Sequence, residues 1–214
     1  MNDLLVLVPD RNTEQAITGL LARPAALGIR QILHQILVHP GRDPGCAHRA
    51  HEFLRSFNRL AQHAMVVFDH AGCGVEQTPA HELAEAVRER LERNGWAGRA
   101  EVVVLSPELE VWVWSRSPHV EACLGWTNHT PNLMSWLREN GHWPEDAPKP
   151  PRPKEALEAA LYHVRRPRSA AIYGELARRV SLRGHTEPAF VRFVSTLRRW
   201  FPEVPTRRGQ VGRD

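Results

Sequence analysis

The 214-residue chain lacks any apolar run of the roughly 18 residues that a transmembrane helix requires. Its amino terminus, MNDLLVLVPD, has an acid where a secretory signal peptide carries basic residues, and its apolar stretch is short. Cysteine is scarce: Cys46, Cys73 and Cys123 are odd in number and far apart, which suits a reducing compartment better than a disulfide framework. We therefore expect a soluble cytoplasmic protein with no membrane partner.

Composition is ordinary for a globular protein, with 42% hydrophobic and 24% charged residues. The charge is unevenly placed. Residues 149–214 hold 15 Lys and Arg against 6 Asp and Glu, whereas residues 1–148 hold 13 against 18. A basic segment on a mildly acidic body indicates a polyanion partner, DNA or RNA, or an acidic protein surface. The same arginines are also compatible with solvated helix faces.

Four short apolar runs predict strands that are buried on both faces, at 4–8, 32–38, 65–68 and 101–105. Segments with helical periodicity separate these runs. Thr13 or Asn12 is expected to cap the first helix, and HPGRDPG after the second run is expected to form a turn. The βαβαβαβ order predicts an α/β fold, with a parallel sheet covered by helices on both faces.

Half of the ten residues 144–153 are proline, which predicts a stiff linker. Beyond the linker, three short helices are expected to begin at Pro153, after Ser169, and at Thr186 or Pro188. The sequence therefore predicts an α/β domain at 1–143, the linker at 144–153, a small C-terminal helical tail at 154–203, and a disordered end at 204–214.

Acidic residues follow three of the predicted strands. Asp10 comes after the first strand, Asp69 after the third, and Glu108 and Glu110 after the fourth. The carboxyl ends of parallel strands share one edge of the sheet, so these like charges should meet there. A hard cation such as Mg²⁺ or Mn²⁺ would neutralise them, which predicts a metal site of Asp69, Glu108 and Glu110. Alternatively, the strand-end acids cap the following helices or face water.

Several motifs, taken in order, resemble toprim-like proteins related to OLD-family nucleases. LVPDRNTEQAI resembles a lengthened form of their VEGxTE turn, VVFDHAGCG their acidic turn after strand 3, and VLSPELEVWVW their Glu-containing segment after strand 4. PKEALEAAL, SAAIYGELARRVSL and EPAFVRFVSTL resemble the helical tail of uncharacterised members often found among phage-defence genes. The resemblance covers nearly the whole chain. It implies a toprim-like component of a prokaryotic antiviral defence or nucleic-acid-processing system.

The resemblance also implies roles for individual residues. Active toprim domains use a glutamate after strand 1 as general acid or base, and here Asp10 or Glu14 would take that role. Asp69 matches the first acid of a D-x-D magnesium pair, but Ala71 stands at the second position. The implied site is a degenerate one that, if active, hydrolyses phosphodiesters through a metal-bound water. The alternative is a non-catalytic accessory subunit that binds a partner protein, such as another defence-system protein.

Histidines and cysteines near the same edge suggest two further possibilities, a zinc site and a Cys73–His70 nucleophile pair. They are His39, Cys46, His48, His51, His70 and Cys73. The chain has no C-x-x-C pair and no G-x-C-x-G elbow. The spacing therefore favours a glycine-rich loop with a small buried cysteine and a hydrogen-bonded histidine.

Two further groups are candidates for nucleic-acid binding. Five tryptophans within 32 residues could stack on bases or form a partner surface, although core packing explains Trp112 more simply. They are Trp112, Trp114, Trp126, Trp136 and Trp143. Arginines of the tail are predicted to contact a phosphate backbone without sequence specificity. They are Arg165, Arg166, Arg168, Arg178 and Arg179.

Overall fold

The computed structural model describes residues 1–115, 117–182, 184 and 186–203, so the predicted disordered end at 204–214 lies outside the described residues. Within them, four parallel strands form one sheet in the order β2-β1-β3-β4. The strands are β1 (Asn2–Val8), β2 (His34–Val38), β3 (Ala61–Asp69) and β4 (Ala100–Leu105). The predicted α/β class, with a parallel sheet flanked by helices and helices at the C-terminal end, is confirmed.

Helices connect the strands and cover both faces of the sheet. They are α1 (Arg11–Leu21), α2 (Pro24–Leu27), α3 (Arg42–Leu54) and α4 (Ala80–Leu91). Alternate strand residues feed two hydrophobic cores: Val6 packs into the core on the α1 side and Leu7 into the core on the α3 and α4 side. Burial on both faces explains why β1, β3 and β4 are continuous apolar runs rather than alternating ones.

Two local expectations were wrong. Asp10 is the residue that caps α1, because its Oδ1 accepts the Thr13 N–H at 2.9 Å, so neither Thr13 nor Asn12 is the cap. The segment HPGRDPG is not only a turn, since α3 begins inside it at Arg42. Pro44 is tolerated there because the first N–H groups of a helix have no partner within the helix.

Between β4 and the proline-rich segment, the chain forms a 3₁₀ turn at Leu109–Trp112 and two short helices, α5 (His119–Leu124) and α6 (Leu133–Glu139). The sequence periodicity did not predict these two helices. The three predicted tail helices are confirmed as α7 (Pro153–His163), α8 (Ala170–Arg179) and α9 (Pro188–Trp200). Within the described residues, no helix has both the length and the apolar character needed to cross a membrane.

The tail helices share the hydrophobic core on the α1 side of the sheet. Helix α8 lies directly on α1 at Gly19, where an added Cβ would come within 2.7 Å of the Ala177 Cβ and of the Gly174 carbonyl oxygen. Arg23, just after α1, donates to the carbonyl oxygens of Ala177 and Val180 at the end of α8. The proline-rich segment therefore joins two parts of one packed core.

The two edges of the sheet differ. Glu101 of β4 is buried and accepts hydrogen bonds from Arg192 at 2.9 Å and Thr196 at 3.1 Å, so α9 covers that edge. Strand β2 is only half-buried, and Leu33 just before it is 68% exposed. The β2 edge is therefore the more accessible one.

Truncating Phe193, which is fully buried on α9, to Ala should lower the free energy of unfolding by about 3–5 kcal/mol through lost packing and a cavity. The matched control is Val191→Ala on the same helix, where the side chain is 48% exposed and the change should stay within about 0.5 kcal/mol. Chemical denaturation measures both. Two separate transitions, with only one shifted by Phe193→Ala, would show that the C-terminal helices fold independently of the sheet.

Candidate functional site

Carboxylates gather at the carboxyl edge of the sheet, where the sequence predicted a site. Asp69 ends β3, Asp10 follows β1, and Glu108 and Glu110 follow β4. The pKa of Asp69 is raised well above its usual value, first by burial and then by the charges of four neighbouring carboxylates. The structure thus brings the four predicted rim acids into electrostatic contact.

The fourth strand end contributes an acid that the sequence reasoning missed. Asp43 lies in the first turn of α3, after β2, and its Oδ1 accepts the backbone N–H of Asp69 at 2.8 Å. Burial and the nearby Asp10 raise the pKa of Asp43. The sequence predicts only a turn for HPGRDPG, so it does not single out Asp43 as an acid of the rim. Asp43 could have been predicted from its position soon after β2, because β2 ends at the same edge of the sheet as the other strands.

Two hydrogen bonds hold Asp69, one through its backbone N–H and one through its side chain. Its own N–H donates to Asp43, and its Oδ1 accepts the N–H of Leu109 at 2.9 Å. The side chain of Asp69 therefore ties the end of β3 to the 3₁₀ turn that follows β4.

The two candidates for proton transfer have local structural partners. Asp10 Oδ1 accepts both the N–H and the hydroxyl of Thr13, at 2.9 and 3.1 Å, as an N-cap. Glu14 forms an ion pair with Arg11 at 2.6 Å on the first turn of α1. The sequence left open whether strand-end acids cap helices, and Asp10 does so.

The two acids after β4 are bound by the C-terminal segment. Glu108 Oε1 accepts the Lys154 N–H at 3.0 Å, and so satisfies a free donor at the start of α7. Glu110 is 2% exposed, and its Oε1 accepts a hydrogen bond from Arg168 at 2.6 Å and another from the Tyr173 hydroxyl. Burial and the Glu110 carboxylate raise the pKa of Tyr173, which keeps this hydroxyl protonated as a donor.

These contacts decide how well the predicted ligands fit Mg²⁺. An octahedral ion needs carboxylate oxygens that are free to turn toward it. Of the set Asp69, Glu108 and Glu110, the two glutamates are occupied by Lys154 and Arg168. Across the described residues, no group of three or more His, Cys, Asp or Glu side chains is disposed to hold a metal ion. In this arrangement the three predicted ligands do not fit the ion together, and the metal site stays a prediction.

The two cysteines near the rim are buried, and two of the nearby histidines are hydrogen-bonded to the backbone. Cys73 is fully buried and burial raises the pKa of its thiol, as it does for Cys46, which disfavours the thiolate needed by a nucleophile or zinc ligand. The His70 ring lies 2.8 Å from the Thr78 carbonyl oxygen, and His39 Nδ1 accepts the Gly41 N–H at 2.9 Å. The interpretation of a buried cysteine beside a hydrogen-bonded histidine is confirmed.

The five predicted nucleic-acid-binding arginines divide into two groups. Arg168 neutralises Glu110, and both Arg166 and Arg179 pair with Glu175, at 3.3 and 2.9 Å. The guanidinium groups of Arg165 and Arg178 have no hydrogen-bond or ion-pair partner within the described part of the chain. Of the five clustered tryptophans, four are buried, as core packing predicts, and Trp136 alone is half-exposed.

Replacing Arg168 with Ala should destabilise the protein by about 3 kcal/mol, because it leaves the buried Glu110 carboxylate without a cation. Combining it with Glu110→Gln should cost less than the sum of the two single changes, with a coupling of about 1–3 kcal/mol. A double-mutant cycle by chemical denaturation measures the coupling. Arg178→Ala is the control, with an expected effect within about 0.5 kcal/mol, and strictly additive energies would refute the pairing.

Asp69→Asn should become progressively more stabilising as pH rises. A carboxyl group whose pKa is raised by folding contributes stability that is complete below its unfolded pKa and is lost as pH rises through the folded pKa. Asn keeps the acceptor for Leu109 and cannot ionise. The difference in Tm, variant minus wild type, should grow by at least about 2 °C between about pH 5 and about pH 8. A constant difference would show that Asp69 has an ordinary pKa.

Comparison of the chain with protein-family models, with curated proteins and with solved structures gave no match. The toprim-like resemblance therefore rests on the sequence motifs alone. The geometry of the rim and of the C-terminal helices is the independent ground on which a function can be argued.

Proposed function

We propose that the chain is a cytoplasmic, toprim-like component of a prokaryotic antiviral defence or nucleic-acid-processing system, and that it acts as a non-catalytic accessory subunit. The sequence motifs supply the class of system. The contacts at the acidic rim support the choice of an accessory subunit over a nuclease.

One observation carries that choice: Glu110, a predicted metal ligand, is buried and bound by Arg168 and Tyr173. A guanidinium at 2.6 Å supplies the positive charge that a divalent cation would otherwise supply. Freeing the carboxylate would leave the buried Tyr173 hydroxyl without its acceptor and Arg168 with the exposed Glu158 as its remaining carboxylate partner among the described residues. Arg168 thus offsets the negative charge of Glu110 within the protein itself.

Metal-dependent phosphodiester hydrolysis is the second candidate, and the crowding around Asp69 favours it. Four other carboxylates raise the pKa of this residue, and a bound cation would relieve that repulsion as well as a proton does. Coordination by the predicted ligands would require the Lys154 N–H and Arg168 to move away first. For this reason we rank it below the accessory role.

The β2 edge offers a surface for a partner protein. Its five residues, HQILV, carry no Lys, Arg, Asp or Glu and no Pro, which are the residues that protect edge strands from pairing. His39 N–H donates to the Val8 carbonyl, so by alternation the N–H groups of His34, Ile36 and Val38 point away from β1. A strand of a partner could pair with this edge by its backbone.

The purified protein should not cleave plasmid or single-stranded DNA in Mg²⁺, because the acids that would hold the ion are engaged elsewhere. Nicking of supercoiled plasmid and digestion of a labelled single strand measure this. Neither Mg²⁺ nor Mn²⁺ should raise the Tm more than NaCl of equal ionic strength does.

Asp69→Ala is the control for contaminating nuclease. Mg²⁺-dependent cleavage by the wild type that disappears in Asp69→Ala would overturn the accessory role and establish the enzyme. An inactive wild type that binds the product of an adjacent gene, with binding weakened by Gln35→Lys on the exposed face of β2 and not by Val191→Lys on α9, would support it.

A further inference from the structure

An open groove of about 870 Å³ lies between α6 and the C-terminal end of α7, on a part of the molecule that the acidic rim does not use. Its aromatic and basic lining residues are Trp136, His142, Tyr162, His163, Arg165 and Arg166. Such a combination of rings and guanidinium groups is typical of sites that bind nucleobases and phosphates.

The rings form a continuous row that is anchored in the core. His163 stacks on the buried Trp126, with centroids 5.1 Å apart and planes at 16°. It also lies 4.7 Å from Trp136, which is followed by His142 at 6.0 Å and 21°. Because Trp126 is fixed by the core, the rings above it are held in place before any ligand arrives. Little conformational entropy is then lost on stacking.

Tyr162 adds an exposed ring beside this row. Its side chain is 87% exposed, an unusual state for a tyrosine that has no functional contact. Leu157 and Leu161 of the same helix face the core, whereas Tyr162 faces outward. The exposed ring lines the groove and is accessible to a ligand that enters it.

The charge of the groove is positive. Arg165 follows α7 in the left-handed region, at φ 53°, and its exposed guanidinium has no ion-pair partner within the described part of the chain. Among the described residues, the Arg166 guanidinium has one ion pair, to Glu175 at 3.3 Å. The groove's described lining contains no Asp or Glu. An anion is thus attracted without competition from a lining carboxylate.

We propose that this groove binds unpaired nucleotides, as single-stranded nucleic acid, with bases stacked on Tyr162, His163 and Trp136 and phosphates held by Arg165 and Arg166. Duplexes are disfavoured because the faces of their bases are already stacked inside the helix and only the base edges are accessible. The groove would give the accessory subunit of the proposed system its nucleic-acid contact.

The inference is separable from the fate of the acidic rim. Glu108 contacts Lys154 at the start of α7, whereas Tyr162 is eight residues later, about 12 Å along the helix axis. A failure of the groove to bind leaves the non-catalytic rim untouched. Catalysis at the rim would equally leave the groove's ligand unchanged.

Fluorescence anisotropy with a short labelled single-stranded DNA and the matching RNA tests the proposal on the full chain. Tyr162→Ala and Arg165→Gly should each weaken binding about ten-fold, and Gly suits the left-handed backbone at that position. Arg165→Gly should also reduce the slope of log K against log salt by about 0.7, the value for one phosphate contact on a single strand. Tyr162→Phe, which keeps the ring, should restore most of the affinity that Tyr162→Ala loses, and Arg59→Ala, which removes an exposed arginine outside the groove, should bind like wild type.

Four competitors identify the ligand. Unlabelled single strand should displace the probe, whereas the duplex of the same sequence and inorganic tripolyphosphate should not. Displacement by a mononucleotide at equal nucleotide concentration would assign the groove to free nucleotides, and its failure would assign it to a strand. Tighter binding of duplex, absence of binding by wild type, or unchanged affinity in both Tyr162→Ala and Arg165→Gly would overturn the proposal.

Discussion

Carboxylates that end neighbouring parallel strands must share one edge, and their mutual repulsion rises as they are buried. In this protein the ends of all four strands deliver an acid to that edge, with Asp69 in the middle. The repulsion has to be relieved by protons, by a cation or by the protein's own donors. Here Glu108 and Glu110 are satisfied by a helix start and by Arg168, and Asp69 is left with a raised pKa. These hydrogen bonds connect α7 and α8 to the acidic edge of the sheet.

The link between the sheet and the C-terminal helices is therefore polar as well as apolar. Hydrophobic burial and the close approach at Gly19 place α8 on α1. The pair of Glu110 with Arg168 joins the turn after β4 to the residues just before α8, and separating the two would leave a buried carboxylate unpaired. The same short segment carries Arg165 and Arg166 toward the groove. Positioning of the rim and positioning of the groove are thus properties of one stretch of chain.

The sequence predicted the elements better than their partners. Apolar runs identified the four strands: β1, β3 and β4 are buried on both faces, and β2 keeps an apolar run although it is only half-buried. Proline and serine marked the starts of α7 and α8. Asp43 was missed because its helix begins inside a segment rich in glycine and proline, where propensity favours a turn. No local pattern could show that Glu110 meets Arg168, since 58 residues separate them and only tertiary packing brings them together. The ring row around Trp136 was hidden for the same reason, as α6 and α7 supply its members from distant segments.

Charge counted along a sequence overstates the charge that a folded surface presents. The basic C-terminal segment predicts a broad polyanion-binding face, yet six of its nine described arginines pair with carboxylates. Arg192 binds Glu85 and Glu101, and other arginines of this segment pair with Glu110 and Glu175. Among the described residues, the positive charge that remains for an external anion is local, and in the groove it lies beside aromatic rings rather than in an extended basic stripe. A ligand recognised there must offer planar faces as well as charge, and this requirement makes unpaired nucleotides a better match than the outside of a duplex.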